Sequence, residues 1–283
     1  MRPLRISAIS YLNTAPLMWD LERGNCGRDF ETEYTLPSAC AAALRSGAAD
    51  IGIIPAFAYA GIPGLVIVPD VAIASLGAVR SILLISNKPL DDVRSVALDT
   101  SSMTSVALTR VLFEKFWGGG RQFRAMAPEL DRMLEDCDAG LIIGDPALRI
   151  DRGRYITFDL AEEWHRLTGK PFVFAFWAVR KDALREARPD LDVAAVFQQS
   201  RDHGLQPAAL EEIAQVWSPR TGLSPAEVKQ YLTQNIHYYL DAECLAGMLL
   251  FFQLATDCGL LAGMPELNFL ELARIVAGSV RPG

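Results

Sequence analysis

The sequence predicts an α/β fold of two lobes facing each other across a hinged cleft. Three observations carry that expectation. Short apolar runs alternate with helical segments from residue 4 onward, and the alternation restarts after a polar stretch at residues 87–92. A bulky apolar run at residues 171–179 then leads the chain back. Strands alternating with helices imply parallel sheets with helices on their faces. The expected division is residues 1–86 for the first part of lobe one and 87–175 for lobe two. Residues 176–283 return to lobe one and supply a helical C-terminal segment.

Each element has its own signal. Residues 4–9 read as a strand, and the loop Ser10-Tyr11-Leu12-Asn13-Thr14-Ala15-Pro16 leads from it into a helix. Residues 29–35 form a second strand. Pro37 opens an Ala-rich helix, where its missing N–H is not needed. Residues 50–54 form a very apolar third strand that stops at Pro55, and residues 81–86 form the last strand before the lobe boundary. In lobe two, strand 95–98 leads through a polar loop at 99–102 into a helix ending near Trp117. The Gly118-Gly119-Gly120 that follows lacks the Lys and the spacing of a phosphate-binding loop. Strands at 121–126 and 139–143, a helix at 160–167 and the strand at 171–179 complete the lobe. From Lys181 the chain reads as helical throughout, with a capping box at Ser224-Pro225-Ala226-Glu227.

The composition narrows the function classes. The chain has 283 residues, 51% of them hydrophobic and 22% charged, enough apolar material for a sizeable core. A formal charge of -7 without any Lys/Arg-rich run argues against a nucleic-acid or anionic-membrane partner. The five cysteines are scattered, odd in number and without metal-type spacing, which suits reduced thiols in the cytoplasm. No apolar run of signal-peptide length follows Met1, so a cytoplasmic location is expected. The greasiest stretch, residues 242–264, is interrupted by Glu243, Gln253 and Asp257 and reads as a buried helix rather than a membrane span. Apolar residues in the helical third suit a homodimer face and a core equally well. His165, His203 and His237 fall in helical runs without ligand spacing, so neither a metal nor a catalytic triad is expected.

Open α/β sheets take ligands beyond the carboxyl ends of their strands, near helix N-termini. Three loops qualify. Ser10, Tyr11 and Asn13 follow the first strand and offer hydroxyls and an amide; Asn13 or Thr14 would serve equally as a helix cap. Thr100, Ser101, Ser102 and Thr104 crowd the equivalent loop of lobe two, as an anion cradle or again as caps. Gly144 and Asp145 follow a third strand, with Asp145 as a ligand contact, a base or a cap before Pro146. Taken alone, these residues describe a cleft for a small carboxylated molecule and leave the reaction open.

Four segments resemble the chorismate dehydratase family of the futalosine route to menaquinone. They are residues 10–16, Asp50-Ile51-Gly52-Ile53-Ile54-Pro55, residues 98–105 and Leu141-Ile142-Ile143-Gly144-Asp145-Pro146-Ala147-Leu148. The similarity runs in order across most of the chain. It implies a periplasmic-binding-protein type II fold adapted as a cytoplasmic enzyme. The implied reaction is cofactor-free dehydration of chorismate to 3-[(1-carboxyvinyl)oxy]benzoate. The family pattern pairs an Asn in the first loop with a Ser near the hinge, which map here onto Asn13 and onto Ser81 beside Arg80. The loop resemblance adds Pro55 to the substrate-binding expectation. Ser101, Ser102 and nearby backbone N–H groups would hold a carboxylate, with a substrate carboxylate or bound water as base. A sister family on the same fold acts on cyclic dehypoxanthine futalosine and carries a His where this chain has Gly144. A non-catalytic small-anion binder is the further alternative.

Overall fold

The computed structural model describes residues 2–24, 26 and 28–271, so the last part of the expected C-terminal segment, 272–283, lies outside the described residues. The chain opens with β1 (Leu4–Ile9), a 3₁₀ turn at Leu12–Met18 and α1 (Trp19–Glu22). β2 (Phe30–Thr35), α2 (Pro37–Ser46), β3 (Ile51–Pro55), α3 (Ala56–Tyr59) and β4 (Leu65–Ser75) follow. The chain then crosses to β5 (Ile82–Ser86), β6 (Ser95–Asp99), α4 (Thr104–Lys115), β7 (Gln122–Met126), α5 (Leu130–Asp136) and β8 (Ala139–Ile143). α6 (Asp145–Leu148), β9 (Ile156–Asp159) and α7 (Leu160–Thr168) precede the return strand β10 (Phe172–Arg180). The remainder holds α8 (Val193–Gly204), α9 (Pro207–Thr221), α10 (Pro225–Gln230) and α11 (Ala242–Asp257).

Two five-stranded sheets result, ordered β2-β1-β3-β10-β4 and β7-β6-β8-β5-β9. Neither is all-parallel, although the alternating pattern predicts parallel sheets. β1, β2 and β3 are parallel, but β10 runs antiparallel to β3 and β4. In the second sheet β6, β7 and β8 are parallel, while β5 runs antiparallel to β8 and β9. The reversed strand in each sheet is the one that has just crossed from the other sheet.

The sheets also shift the expected boundaries. Residues 82–86 belong to the second sheet, so the crossing lies at residues 76–81 and not after residue 86. The return strand lies wholly in the first sheet from Phe172. An apolar run shows neither its direction nor its sheet, which is why composition alone misplaces both. After Lys181 the chain is not purely helical: His237 bridges Ala74 and Phe269 bridges Ile67.

One large apolar core joins both sheets to the C-terminal helices. Trp177 of β10 packs on Phe197 of α8 with ring centroids 4.6 Å apart, and Phe172 meets Phe251 of α11 at 5.0 Å. Each such buried aromatic contributes about 1.5–3 kcal/mol of transfer free energy. α11 therefore lies in the core region, and among the described residues no helix is long and apolar enough to cross a membrane. At the outer end of the first sheet, buried Asp50 accepts Arg2 and Arg5 guanidinium N–H groups and the Arg5 backbone N–H, tying β1 to β3. Behind the first loop, Gly204 closes α8 against the chain: a Cβ there would lie 2.0 Å from the Pro16 carbonyl oxygen.

Candidate active site

The mixed topology concentrates loop residues at one place between the sheets. β1, β3, β6 and β8 end there. β5 and β10, being reversed, begin there, with Ile82 paired to Ile143 and Ala175 to Pro55. A cavity occupies this place, walled by residues of both sheets. Tyr11, Asn13, Pro55, Ser81, Ser102, Thr104 and Gly144 of the expected residues line it, together with Phe174 and Ser105.

Each of these residues is fixed by a specific local device. Ser81 is buried at the start of β5, and its carbonyl accepts the Gly144 N–H at 2.8 Å. Arg80 just before it has φ +65°, a left-handed conformation costly for a residue with a Cβ. The buried Asp159 carboxylate holds that turn, accepting the Val79 N–H at 3.1 Å and the Arg80 N–H at 2.6 Å. Asp159 also caps α7, and burial pushes its carboxyl above the usual range. The Ser81 hydroxyl accepts a hydrogen bond from the Tyr231 hydroxyl at 2.9 Å, and Tyr231 is 1% exposed.

Asn13 sits in the 3₁₀ turn with no capping bond from its side chain, so the capping alternative does not describe it. Thr104 at the start of α4 accepts the Phe57 N–H and donates to the Phe174 carbonyl, both at 3.1 Å. Its hydroxyl proton thus ties α4 to the first sheet, while the residue still walls the cavity. Ser102 accepts the Ser105 N–H at 3.2 Å.

Four expected residues stand elsewhere. Ser10 and Thr100 are exposed and outside the lining. Ser101 turns its N–H and hydroxyl onto Asp99 Oδ1, at 2.8 and 2.6 Å, so it does not project into the cavity. Asp145 Oδ1 accepts the Leu12 N–H at 3.0 Å, linking the second sheet to the first loop. It caps no helix, since Gly144 occupies the capping position of α6. Burial raises the pKa of Tyr11, Asp99 and Asp145 alike.

Gly144 has φ +68° and ψ −151°, a region open almost only to glycine. A Cβ there would lie 2.8 Å from the Tyr11 ring. The site is therefore built around the absence of a side chain at this position.

Away from the cavity, His237, Asp241 and Cys244 bring donor atoms within 4.8 Å of one another, a proximity that sequence spacing does not predict. Asp241 engages both neighbours, accepting from the His237 ring at 2.7 Å and from the Cys244 N–H at 2.8 Å. His237 lies outside any helix, contrary to expectation, while His165 and His203 lie in α7 and α8.

Two mixed sheets with flanking helices, clasping one cavity, define the periplasmic-binding-protein fold. The periplasmic aliphatic sulphonate binding protein of Escherichia coli aligns with a TM-score of 0.66 at 15% identity, over 100% of this chain and 97% of its own. A crystallographically solved Archaeoglobus fulgidus protein aligns with a TM-score of 0.72 at 17% identity, over 92% of this chain and 98% of its own. The chain belongs to the menaquinone biosynthesis family, whose sequence pattern matches residues 4–257. A Thermus thermophilus protein named chorismate dehydratase is 29% identical over 89% of this chain and 94% of its own length.

Proposed function

We propose that this chain is an enzyme of menaquinone biosynthesis, a cytoplasmic hydro-lyase that converts chorismate to 3-[(1-carboxyvinyl)oxy]benzoate and water. The observation that carries the reading is the cavity between the sheets, whose lining includes both Asn13 and Ser81. Family membership and the relative named chorismate dehydratase supply the substrate.

The chemistry suits this inventory. Chorismate loses a ring proton and the neighbouring hydroxyl, and the ring becomes aromatic. The C–H bond is activated through the conjugated ring carboxylate, so much of the driving force resides in the substrate. The protein then has to orient the ring and stabilise charge as it develops. Asn13 and Ser81 offer an amide and a hydroxyl for the ring hydroxyl and enolpyruvyl group, while Ser102 and the start of α4 face a carboxylate. A substrate carboxylate or a bound water serves as the proton acceptor. Gly144 weighs against the sister reaction, because a His in that place would meet the Tyr11 ring.

Chorismate incubated with the protein and followed by chromatography is expected to yield the carboxyvinyloxy benzoate, with Asn13→Ala losing about a hundredfold in kcat, the order seen on removing one preorganised donor. Chorismate that stabilises the fold without reacting would make the cleft a binding site only. Full turnover by Asn13→Ala would remove Asn13 from the mechanism.

A further inference from the structure

We propose that Tyr231 is a positioning residue that sets the direction of the hydrogen bonds Asn13 and Ser81 offer to the substrate. The inference rests on the reading that those two residues act on it. Tyr231 lies outside the cavity lining, fully enclosed behind Ser81, and its hydroxyl reaches both partners: Ser81 Oγ at 2.9 Å and the Asn13 side chain.

Proton counting fixes the polarity of this chain. A phenol has one proton, and here it goes to Ser81 Oγ. The phenol oxygen can therefore only accept from Asn13, which must turn its NH2 toward Tyr231. Asn13 Oδ1 then faces the other way, where it accepts from Thr14 Oγ1 at 3.4 Å. Ser81, having accepted from Tyr231, keeps its own proton for the cavity. Ser81 is thus set as a donor toward the cavity, and the second Asn13 amide N–H is left to donate as well, as a departing hydroxyl or a developing carboxylate charge requires. Burial keeps the Tyr231 hydroxyl protonated, so the order does not reverse near neutral pH.

The backbone aims the ring. Tyr231 begins a π-helical turn, Tyr231–Asn235, directly after α10. Such turns insert a residue into a helix and redirect the side chains around it, often at functional sites. The same turn grips the crossing segment, since Asn235 Nδ2 donates to the Ala78 carbonyl at 2.9 Å.

The test is steady-state kinetics on chorismate with Tyr231→Phe, Ser81→Ala, Asn13→Ala and the Tyr231→Phe/Ser81→Ala pair. Tyr231→Phe keeps the ring and removes the hydroxyl that orders Ser81 and Asn13, so kcat is expected to fall about tenfold with KM within about twofold. In the Ser81→Ala background the same change is expected to cost clearly less, leaving only the part that acts through Asn13. Asn235→Ala frees the turn but keeps the phenol; it is expected to lower kcat severalfold, and again by clearly less in the Ser81→Ala background. That variant carries the test if Tyr231→Phe fails to fold. The proposal is overturned if Tyr231→Phe keeps wild-type kcat while Ser81→Ala and Asn13→Ala lose it. It is equally overturned if the Tyr231→Phe loss recurs in full without Ser81. If Ser81→Ala and Asn13→Ala both turn over normally, the reading of the site fails and the proposal falls with it.

Discussion

At the scale of single residues, the site depends on backbone conformations that few side chains tolerate. Gly144 is the sharpest case. Gly144→Ala places a Cβ in a conformation that disfavours it and against the Tyr11 ring, a combined strain of about 1–3 kcal/mol. Part of that strain is relieved by moving Tyr11, so both thermal midpoint and kcat/KM are expected to fall, the latter at least about tenfold. A variant with unchanged kinetics would show that Tyr11 has no fixed place in the site. Much of this scale is readable in the sequence. The loops after β1, β6 and β8 stand out as polar strand ends, and the family resemblance points to Asn13 and Ser81. What sequence does not give is the side of a loop on which a residue stands. Ser10 and Thr100 have the right chemistry but face outward, and Ser101 faces Asp99. Tyr231 and Asp159 are hidden for another reason. Each reads as a routine helix or cap residue, because its partner at the site lies far away in sequence, 150 positions for Ser81 and 79 for Arg80.

At the scale of elements, the strands are anchored by ionic contacts at one end and by the core along their length. Asp50 joins β1 to β3. Burial alone would raise its pKa, but hydrogen bonds from Arg2 and Arg5 outweigh that and hold the carboxyl below the usual range. A folded pKa below the unfolded value of about 3.9 means stability that is complete above it and lost as pH falls toward the folded value. Buried Asp99, Asp145 and Asp159 shift the opposite way, so they favour the fold as pH falls. The comparison between wild type and Asp50→Asn isolates the one contribution. Near pH 7 the substitution is expected to cost about 1–2 kcal/mol, modest because both arginines are partly exposed. The gap between the two denaturation curves should narrow from pH 5 to pH 3. A constant gap would mean that Asp50 is not ionised in the fold. Element positions were largely readable: β1, β8 and the capping box of α10 lie where the pattern puts them. Strand direction was not, since the run Ile82–Ser86 is buried at every position and its apolar pattern looks much the same read either way. Nor was β4, whose Pro69-Asp70 interruption, with Asp70 at φ +62°, breaks the apolar run in the middle.

At the scale of the whole molecule, two crossings of the chain make one cavity from two sheets. Reversal of β5 and β10 brings strand beginnings beside strand ends, so residues from both sheets converge on it. Asp145 reaching the Leu12 N–H, Gly144 reaching the Ser81 carbonyl and Thr104 reaching Phe57 and Phe174 stitch the cavity walls together. A reaction that aromatises its own substrate needs such a shaped and oriented enclosure more than it needs a strong base. The most direct measurement supplies chorismate deuterated at the ring carbon that bears the enolpyruvyl ether and follows the product by mass spectrometry. The account predicts a product lighter by one water that has lost the deuterium, formed more slowly than from unlabelled chorismate. Recovery of unchanged chorismate, or a product that keeps the deuterium, would contradict it.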